Sequence, residues 1–160
     1  MPGFIRAAIM TEIPPAIGSA LLSGNITTIL RETIKHFGCE AGTVHWLDIH
    51  SGLLTLAAHH KIPPHISELI GTVPLGKGIA GLAAQKRQPI SLCNLQTDTS
   101  GQARPEAKTT GMEGSLAVPM ITYGELCGVL GIAKATAYEW TEEEKNLLLA
   151  VAAELGEKRP

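Results

Sequence analysis

The sequence predicts a single α+β domain, in which an antiparallel sheet carries the two terminal helices on one face. Two amphipathic segments, 16–37 and 141–155, lie near the ends of the chain, with apolar residues at intervals of three and four. Between them are two pairs of β-rich segments, each joined by a short turn that is typical of an antiparallel hairpin. The order contains no internal repeat, and it favours an α+β arrangement.

Length and composition exclude several classes of protein. The 160 residues, 44% of them hydrophobic, suit one domain with one sizeable core. Because the formal net charge is −2, no basic surface is available for phosphates, and we expect no nucleic-acid partner. No apolar run is long enough to span a bilayer, and residues 1–13 lack the apolar core of a signal peptide. We therefore expect no membrane partner and a cytoplasmic protein.

Proline, glycine and a capping box indicate where the elements begin and end. Pro14 and Pro15 cannot continue a helix that starts in 2–12, so we separate an N-terminal extension, 1–15, from the folded domain, 16–160. Thr141 and Glu144 have the spacing of a capping box. The predicted elements are, in chain order, a helix at 16–37 that stops at Gly38, strands at 43–50 and 53–59, a short helix at 64–70, an extended piece at 72–75, a glycine turn and short helix at 76–86, a strand at 89–95, a loop at 96–113, strands at 114–121 and 126–135, and a helix at 141–155.

The loop at 96–113 is polar, has no apolar periodicity and is the longest in the chain. Loops of this length in compact domains are often functional. It contains Gly101, Pro105 and Gly111 and almost no apolar anchor, so little burial opposes its opening. We predict that it is the most mobile internal segment and acts as a lid.

The glycine turn has two interpretations. Residues 76–81 match the dinucleotide fingerprint GxGxxG, and Asp98 follows at about the distance of a ribose-binding acid. However, the strand before the turn is short and contains Pro74, the helix after it has barely two turns, and the flanking hairpins are antiparallel. These features speak against a dinucleotide site.

The same turn, read as Pro74-Leu75-Gly76-Lys77-Gly78-Ile79-Ala80-Gly81, resembles the signature of the GAF domain family. Further stretches resemble the family in the same order, and the resemblance covers about residues 17–156. It implies a GAF/PAS-like antiparallel sheet of about six strands, with the terminal helices on one face and a pocket on the other, covered by short helices and the long loop. The matching stretches are 47–48, 74–83, 88–94, 114–119, 128–132 and 140–144.

The resemblance also implies a regulatory module that binds a small molecule, and it places the pocket wall by position. Family members bind cyclic nucleotides, tetrapyrroles, haem, small metabolites or gases, and some bind nothing known, so the ligand or cofactor is left open. Asn94, Asp98 and Ser115 are the preferred contacts, because short polar groups in a half-buried loop can orient a ligand. The alternative is that Asn94 and Asp98 cap turns and that the apolar members fill the core. The full predicted wall is His45, Leu47, Leu75, Ile79, Leu92, Asn94, Asp98, Met112, Glu113, Ser115 and Ala117.

The chain lacks the characteristic residues of three subclasses of the family. Bilin attachment needs a thiol followed closely by histidine, whereas Cys93 is followed by Asn94 and Leu95. Cyclic-nucleotide binders resemble one another in an Asn-Lys pair, which is absent at Asn94. Free methionine-R-sulfoxide reductases share this fold and place thiols in the glycine turn and the long loop, where this chain has Ala80 and no cysteine. We therefore predict a protein that is not an enzyme.

The histidines do not suggest a metal site. His59, His60 and His65 form the densest histidine cluster, but His59 and His60 point to opposite faces of a strand and cannot easily converge on one ion. His45 differs, because its strand position can face the pocket, where a neutral imidazole can bond a ligand or ligate haem. The alternative for His45 is a satisfied core histidine.

Two functions from different classes follow, with a third as the weakest. The first is a sensory domain that transmits ligand state through its terminal helices in signal transduction or transcriptional control. The second is a ligand-free dimerisation module whose pocket is filled by its own side chains. The third is an enzyme similar to the free methionine-R-sulfoxide reductases but without their usual cysteines.

Helical angles also predict a homodimer through the terminal helices. In the last helix, Leu149 and Ala153 point away from the apolar stripe that faces the sheet. If the first helix is continuous, Ile17 and Leu21 fall on its outer side, although Gly24 can shift that register. We expect these four residues in the contact between two copies.

Overall fold

The computed structural model describes residues 11–160. In it, the two predicted hairpins and two short edge strands form one antiparallel sheet of six strands. The first hairpin pairs with the second through their inner strands, so that the chain's two hairpins form the centre of the sheet. Two three-residue strands form the edges. From one edge to the other, the strands are β3 (Thr72–Pro74), β2 (Leu53–His60), β1 (Ala41–Asp48), β6 (Glu125–Lys134), β5 (Gly114–Thr122) and β4 (Ile90–Leu92).

Three helices cover one face of this sheet and enclose the larger core. They are α1 (Pro15–Ser23), α2 (Ile26–His36) and α5 (Glu142–Leu155). Their apolar side chains pack with outward residues of the central strands, including Leu116 and Leu130, both nearly inaccessible to solvent. This packing confirms the predicted fold class. None of the helices in residues 11–160 combines the length and the apolar character needed to cross a bilayer.

The first helical segment is broken, where the sequence predicted one continuous helix. Gly24, with φ +71°, ends α1 in the left-handed conformation, and Asn25 then caps α2 by accepting a hydrogen bond from the Thr28 amide (3.0 Å). Because a left-handed residue interrupts the helical periodicity, angles counted back from α2 do not apply to α1. Ile17 and Leu21 are therefore buried, at 0% and 6% exposure, and the prediction that they face outward is wrong.

The closing helix begins as predicted. Thr141 accepts a hydrogen bond from the Glu144 amide (3.1 Å), and the Glu144 carboxylate accepts one from the Thr141 amide (2.9 Å), which completes the capping box. Near its other end, the Thr122 hydroxyl of β5 donates to the Ala153 carbonyl (2.6 Å). Helix α5 is thus held against the sheet at its C-terminal end by a polar contact as well as by its apolar stripe.

Two local predictions need correction. The predicted strand 89–95 is only Ile90–Leu92, because the Asn94 side chain accepts from the Gln96 amide (2.9 Å) and turns the chain away. The loop 96–113 contains a 3₁₀ helix, Pro105–Thr110. The helix predicted within 2–12 falls mostly on residues 1–10, which lie outside the described residues, and residues 11–14 are not helical.

The second face of the sheet is covered by shorter pieces. These are α3 (Pro64–Leu69), α4 (Gly78–Lys86), and the loop with its 3₁₀ helix. A smaller apolar cluster forms between α4 and the sheet and includes Leu54, Ala83 and Val129. Beside this cluster, the cover stands away from the sheet and leaves a cavity.

Candidate functional site

A cavity of about 160 Å³ lies between the second face of the sheet and its cover. Strands β1, β5 and β6 form the floor, and the sides come from α3, the start of α4 and the loop 96–113. The wall is mostly apolar, and the polar side chains on it include His45, Ser115 and Arg104. The position agrees with the pocket that the sequence resemblance implied.

The structure brings five of the predicted wall residues to the cavity. His45, Ser115 and Ala117 alternate with residues that face the helices, so they point from β1 and β5 into the space below the cover. Ile79 enters from the first turn of α4, and Met112 from the end of the loop.

The remaining predicted residues do not line the cavity. Asn94 caps its turn, and Asp98 accepts a hydrogen bond from the Ser100 hydroxyl (2.8 Å), as the turn-capping alternative supposed. Leu75 is 39% exposed to solvent. The other three serve the fold: Leu47 packs against the smaller apolar cluster, Leu92 is buried on β4, and Glu113 pairs through its backbone with Lys134 and Leu95.

Sequence reasoning missed two groups of wall residues. The first comes from α3 and its flanks, where Ile62, Ile66 and Ile70 recur at intervals of four, a helical signal that was visible in the sequence. The second is the polar set Arg104, Glu106 and Thr110 in the loop. No periodicity marks that second set, because the loop's path over the cavity follows from tertiary packing.

His45 is buried, with 2% of its surface exposed, and it is held in one tautomer. Its Nε2 lies 2.9 Å from the Ile70 carbonyl oxygen. Since a carbonyl can only accept, Nε2 carries the proton and donates it. Burial lowers the pKa of His45 below 6.5, and the bond to Ile70 opposes that shift only in part, so the ring is neutral at pH 7. Nδ1 is consequently a buried acceptor, and no described residue donates to it.

Of the arginines in the described part of the chain, only Arg104 lies on the wall. Its Nη1 is buried and has no hydrogen-bond partner among residues 11–160. The aliphatic stem lies against the glycine turn, where a Cβ on Gly78 would come within 3.1 Å of Arg104 Cγ. The absence of a side chain at Gly78 therefore makes room for Arg104 at the cavity.

The rest of the glycine turn is structural. Gly76 and Gly78 adopt φ of +87° and +65°, and a Cβ on Gly81 would be 2.5 Å from the Pro74 carbonyl oxygen. Backbone conformation and close packing therefore explain why these positions are glycine, and no bound dinucleotide is needed to explain them. The preceding strand has three residues and pairs antiparallel with β2, unlike the parallel unit of a dinucleotide fold.

No cysteine lies on the cavity wall. Cys93 is exposed, and Cys127 is buried. Burial, the largest cause, raises the pKa of Cys39 to about 12, which keeps that thiol protonated. Within residues 11–160, no group of three or more His, Cys, Asp or Glu side chains is placed to hold a metal ion.

A family model described as the GAF domain matches residues 22–157. The chain belongs to the GAF domain family. The curated proteins contain no significant match to it.

Solved GAF structures have the same fold. The GAF domain of a phosphoenolpyruvate-protein phosphotransferase from Coxiella burnetii is 24% identical, with a TM-score of 0.69 over 91% of this chain and 83% of that one. The corresponding domain from Acinetobacter is 17% identical, with a TM-score of 0.72 over 89% of each chain. Free methionine-R-sulfoxide reductase from Neisseria meningitidis, solved with its substrate, is 19% identical, with a TM-score of 0.70 over 89% of this chain and 83% of that one. These similarities establish the fold alone.

Proposed function

We propose that this GAF domain is a sensor that binds a small molecule in the cavity beneath the loop 96–113 and passes the bound state to its terminal helices. The observation that carries this proposal is that the cavity has buried polar atoms on its wall without hydrogen-bond partners. Buried polar atoms are nearly always hydrogen-bonded, and an unpaired one costs about 1–3 kcal/mol. Two of the three such side-chain atoms in residues 11–160 belong to cavity-wall residues, His45 and Arg104.

The ligand-free alternative accounts less well for the same observations. In a module that fills its own pocket, apolar side chains of the sheet and of its cover would be in contact, as they are in the smaller cluster around Leu54 and Val129. Instead, the space beside that cluster stays open. A cavity of comparable size, about 150 Å³, admits a molecule such as benzene.

The size of the cavity favours a compact metabolite over the larger ligands of the family. Pockets for drug-sized ligands span about 300–1,000 Å³. At about 160 Å³, the cavity holds a molecule of roughly ring size and does not enclose a tetrapyrrole in this conformation. The proposal therefore includes neither haem nor bilin.

The proposed role is binding and not thiol chemistry, although methionine sulfoxide reductases are among the structural neighbours. Their reaction class needs a thiolate and a resolving thiol within reach of the substrate. Here the wall contains no sulfhydryl group, and Cys39 is held as a neutral thiol. These facts favour a binding role over thiol chemistry at this cavity.

Strand β5 offers a direct path from the ligand to the closing helix. Ser115 and Ala117 face the cavity, whereas the intervening Leu116 and the following Val118 pack among the helices. The same strand ends at Thr122, which bonds the Ala153 carbonyl of α5 (2.6 Å). A ligand that shifts β5 would therefore displace residues in contact with α5.

A bulky side chain in the cavity should abolish binding. Native mass spectrometry of freshly purified wild type should detect a retained molecule, and Ser115→Phe should lose it, because the new ring occupies the ligand's space. Ser19→Phe makes the same change at an exposed position of α1 and should retain it. A wild type without any retained or added ligand, or a Ser115→Phe variant that binds normally, would contradict the proposal.

We also propose that the domain associates as a homodimer through its terminal helices, with Leu22 replacing Ile17 and Leu21 in the contact. Leu22 is 88% exposed on α1, and Leu149 is half-buried on α5. Sedimentation at micromolar concentration should show a wild-type dimer and a Leu22→Glu monomer, because a charge at the contact opposes burial. An exposed-site control, Thr27→Glu, should stay dimeric. A monomeric wild type would disprove the association.

A further inference from the structure

The cavity wall contains one unmatched hydrogen-bond donor that bears a positive charge. The Arg104 side chain forms no hydrogen bond or ion pair to any residue in 11–160, and its Nη1 is buried. A guanidinium next to apolar surface is stabilised most by an oxygen anion, because charge-assisted hydrogen bonds are shorter and stronger than neutral ones. Such an anion would satisfy the buried nitrogen and offset its charge.

The same wall contains one unmatched acceptor. Nδ1 of His45 is buried without a donor from the described residues, while Nε2 is committed to the Ile70 carbonyl. A ligand that satisfies Nδ1 must donate a hydrogen bond, so a second acceptor group there would leave both atoms unpaired.

The remaining surface specifies the body of the ligand. Ile66, Ile79, Met112 and Ala117 are among the apolar residues that line the cavity, which has room for about one ring. Lys77 lies exposed at the wall, and Glu106 adds a negative charge. Among residues 11–160, Arg104 therefore supplies the only buried, unmatched cationic nitrogen at the cavity. A phosphate, with up to two charges and three strong acceptor oxygens, needs more donors than this.

From this combination we infer that the ligand is a compact monocarboxylic acid whose ring-sized apolar body carries one hydrogen-bond donor. The carboxylate binds Arg104, and the donor binds Nδ1 of His45. The inference rests on the proposed function, since it names the chemical class of molecule that occupies the same cavity.

The test compares four probes by calorimetry on the wild-type domain freed of any retained ligand. The probes are 3-hydroxybenzoate, benzoate, benzyl alcohol and phenyl phosphate. We expect 3-hydroxybenzoate to bind most tightly. Benzoate should bind about fivefold to tenfold more weakly, because it leaves Nδ1 unpaired, and benzyl alcohol at least about tenfold more weakly, because it lacks the anion.

Two cavity variants assign the contacts. Arg104→Met should lower the affinity for both benzoates by at least about tenfold and leave benzyl alcohol within about twofold. His45→Leu should remove the preference for 3-hydroxybenzoate over benzoate. Arg31→Met, which changes an exposed arginine of α2, is the matched control and should bind like the wild type.

The possible results separate this inference from the proposed function. Benzyl alcohol binding as tightly as the acids, or phenyl phosphate binding more tightly, would overturn the monocarboxylate class while leaving a ligand-binding cavity. If no probe binds, the inference fails, and the mass of a retained ligand still decides the proposed function. If either variant fails to fold, the ranking of the probes on the wild type decides alone.

Discussion

Replacing Gly128 with alanine should lower the free energy of unfolding by at least about 3 kcal/mol. Gly128 lies on β6, opposite Trp46 of β1 and Met120 of β5, at the centre of the sheet. An added Cβ would overlap the His45 carbonyl and come within 2.7 Å of the Met120 methyl group. Because the carbonyl belongs to a paired central strand, it cannot move without breaking the ladder. Chemical denaturation measures the loss.

A second glycine provides the control. Gly18 lies within α1, and a Cβ there would have no neighbour within 4 Å. Gly18→Ala should therefore stabilise the domain, by up to about 1 kcal/mol, because alanine has the higher helix propensity. If both variants unfold at the wild-type denaturant concentration, the close approach of β6 to His45 is wrong.

Acid should destabilise the domain through His45. The unfolded state binds a proton at this side chain as the pH falls through 6.5, whereas burial lowers the pKa in the folded state. Since the unfolded state then binds more protons, stability is fully present above pH 6.5 and falls below it. The loss is at most about 1.4 kcal/mol per pH unit, until the folded state also takes up the proton. Denaturation from pH 7.5 to 5 measures this slope.

Substituting His45 separates its contribution to the pH dependence of stability from that of the Asp and Glu side chains. His45→Gln keeps an amide that can bond the Ile70 carbonyl but does not titrate, so its stability should depend less on pH between 6.5 and 5 than that of the wild type. His59→Gln, at an exposed position, should follow the wild type. Equal slopes for wild type and His45→Gln would show that folding does not lower the pKa of His45.

The sequence predicted most of the fold because its signals are local. The alternation in 43–59, the capping box at Thr141 and Glu144, and the glycine turn each report backbone conformation within a few residues. The structure has elements at all of these places. The prediction failed at Gly24, because a glycine permits a helix to continue or to end, and packing against the sheet decides between the two.

The site was predictable only in part, for the same physical reason. The family resemblance placed His45, Ser115 and Ala117 on the pocket wall by position, and the structure puts all three on the cavity wall. Asn94 and Asp98 were chosen for polarity in a loop, but polar side chains also cap their own turns, and theirs do.

The sequence alone determined the family, the order of the strands and helices, and the absence of cysteine from the glycine turn and the loop 96–113. Only the tertiary structure decided which residues the loop brings over the sheet, and Arg104 is the main result of that folding. It also decided that Nε2 of His45 bonds the Ile70 carbonyl at the end of α3, which leaves Nδ1 without a donor among residues 11–160. Contacts between residues far apart in the chain have no local pattern, since they depend on where separate elements pack.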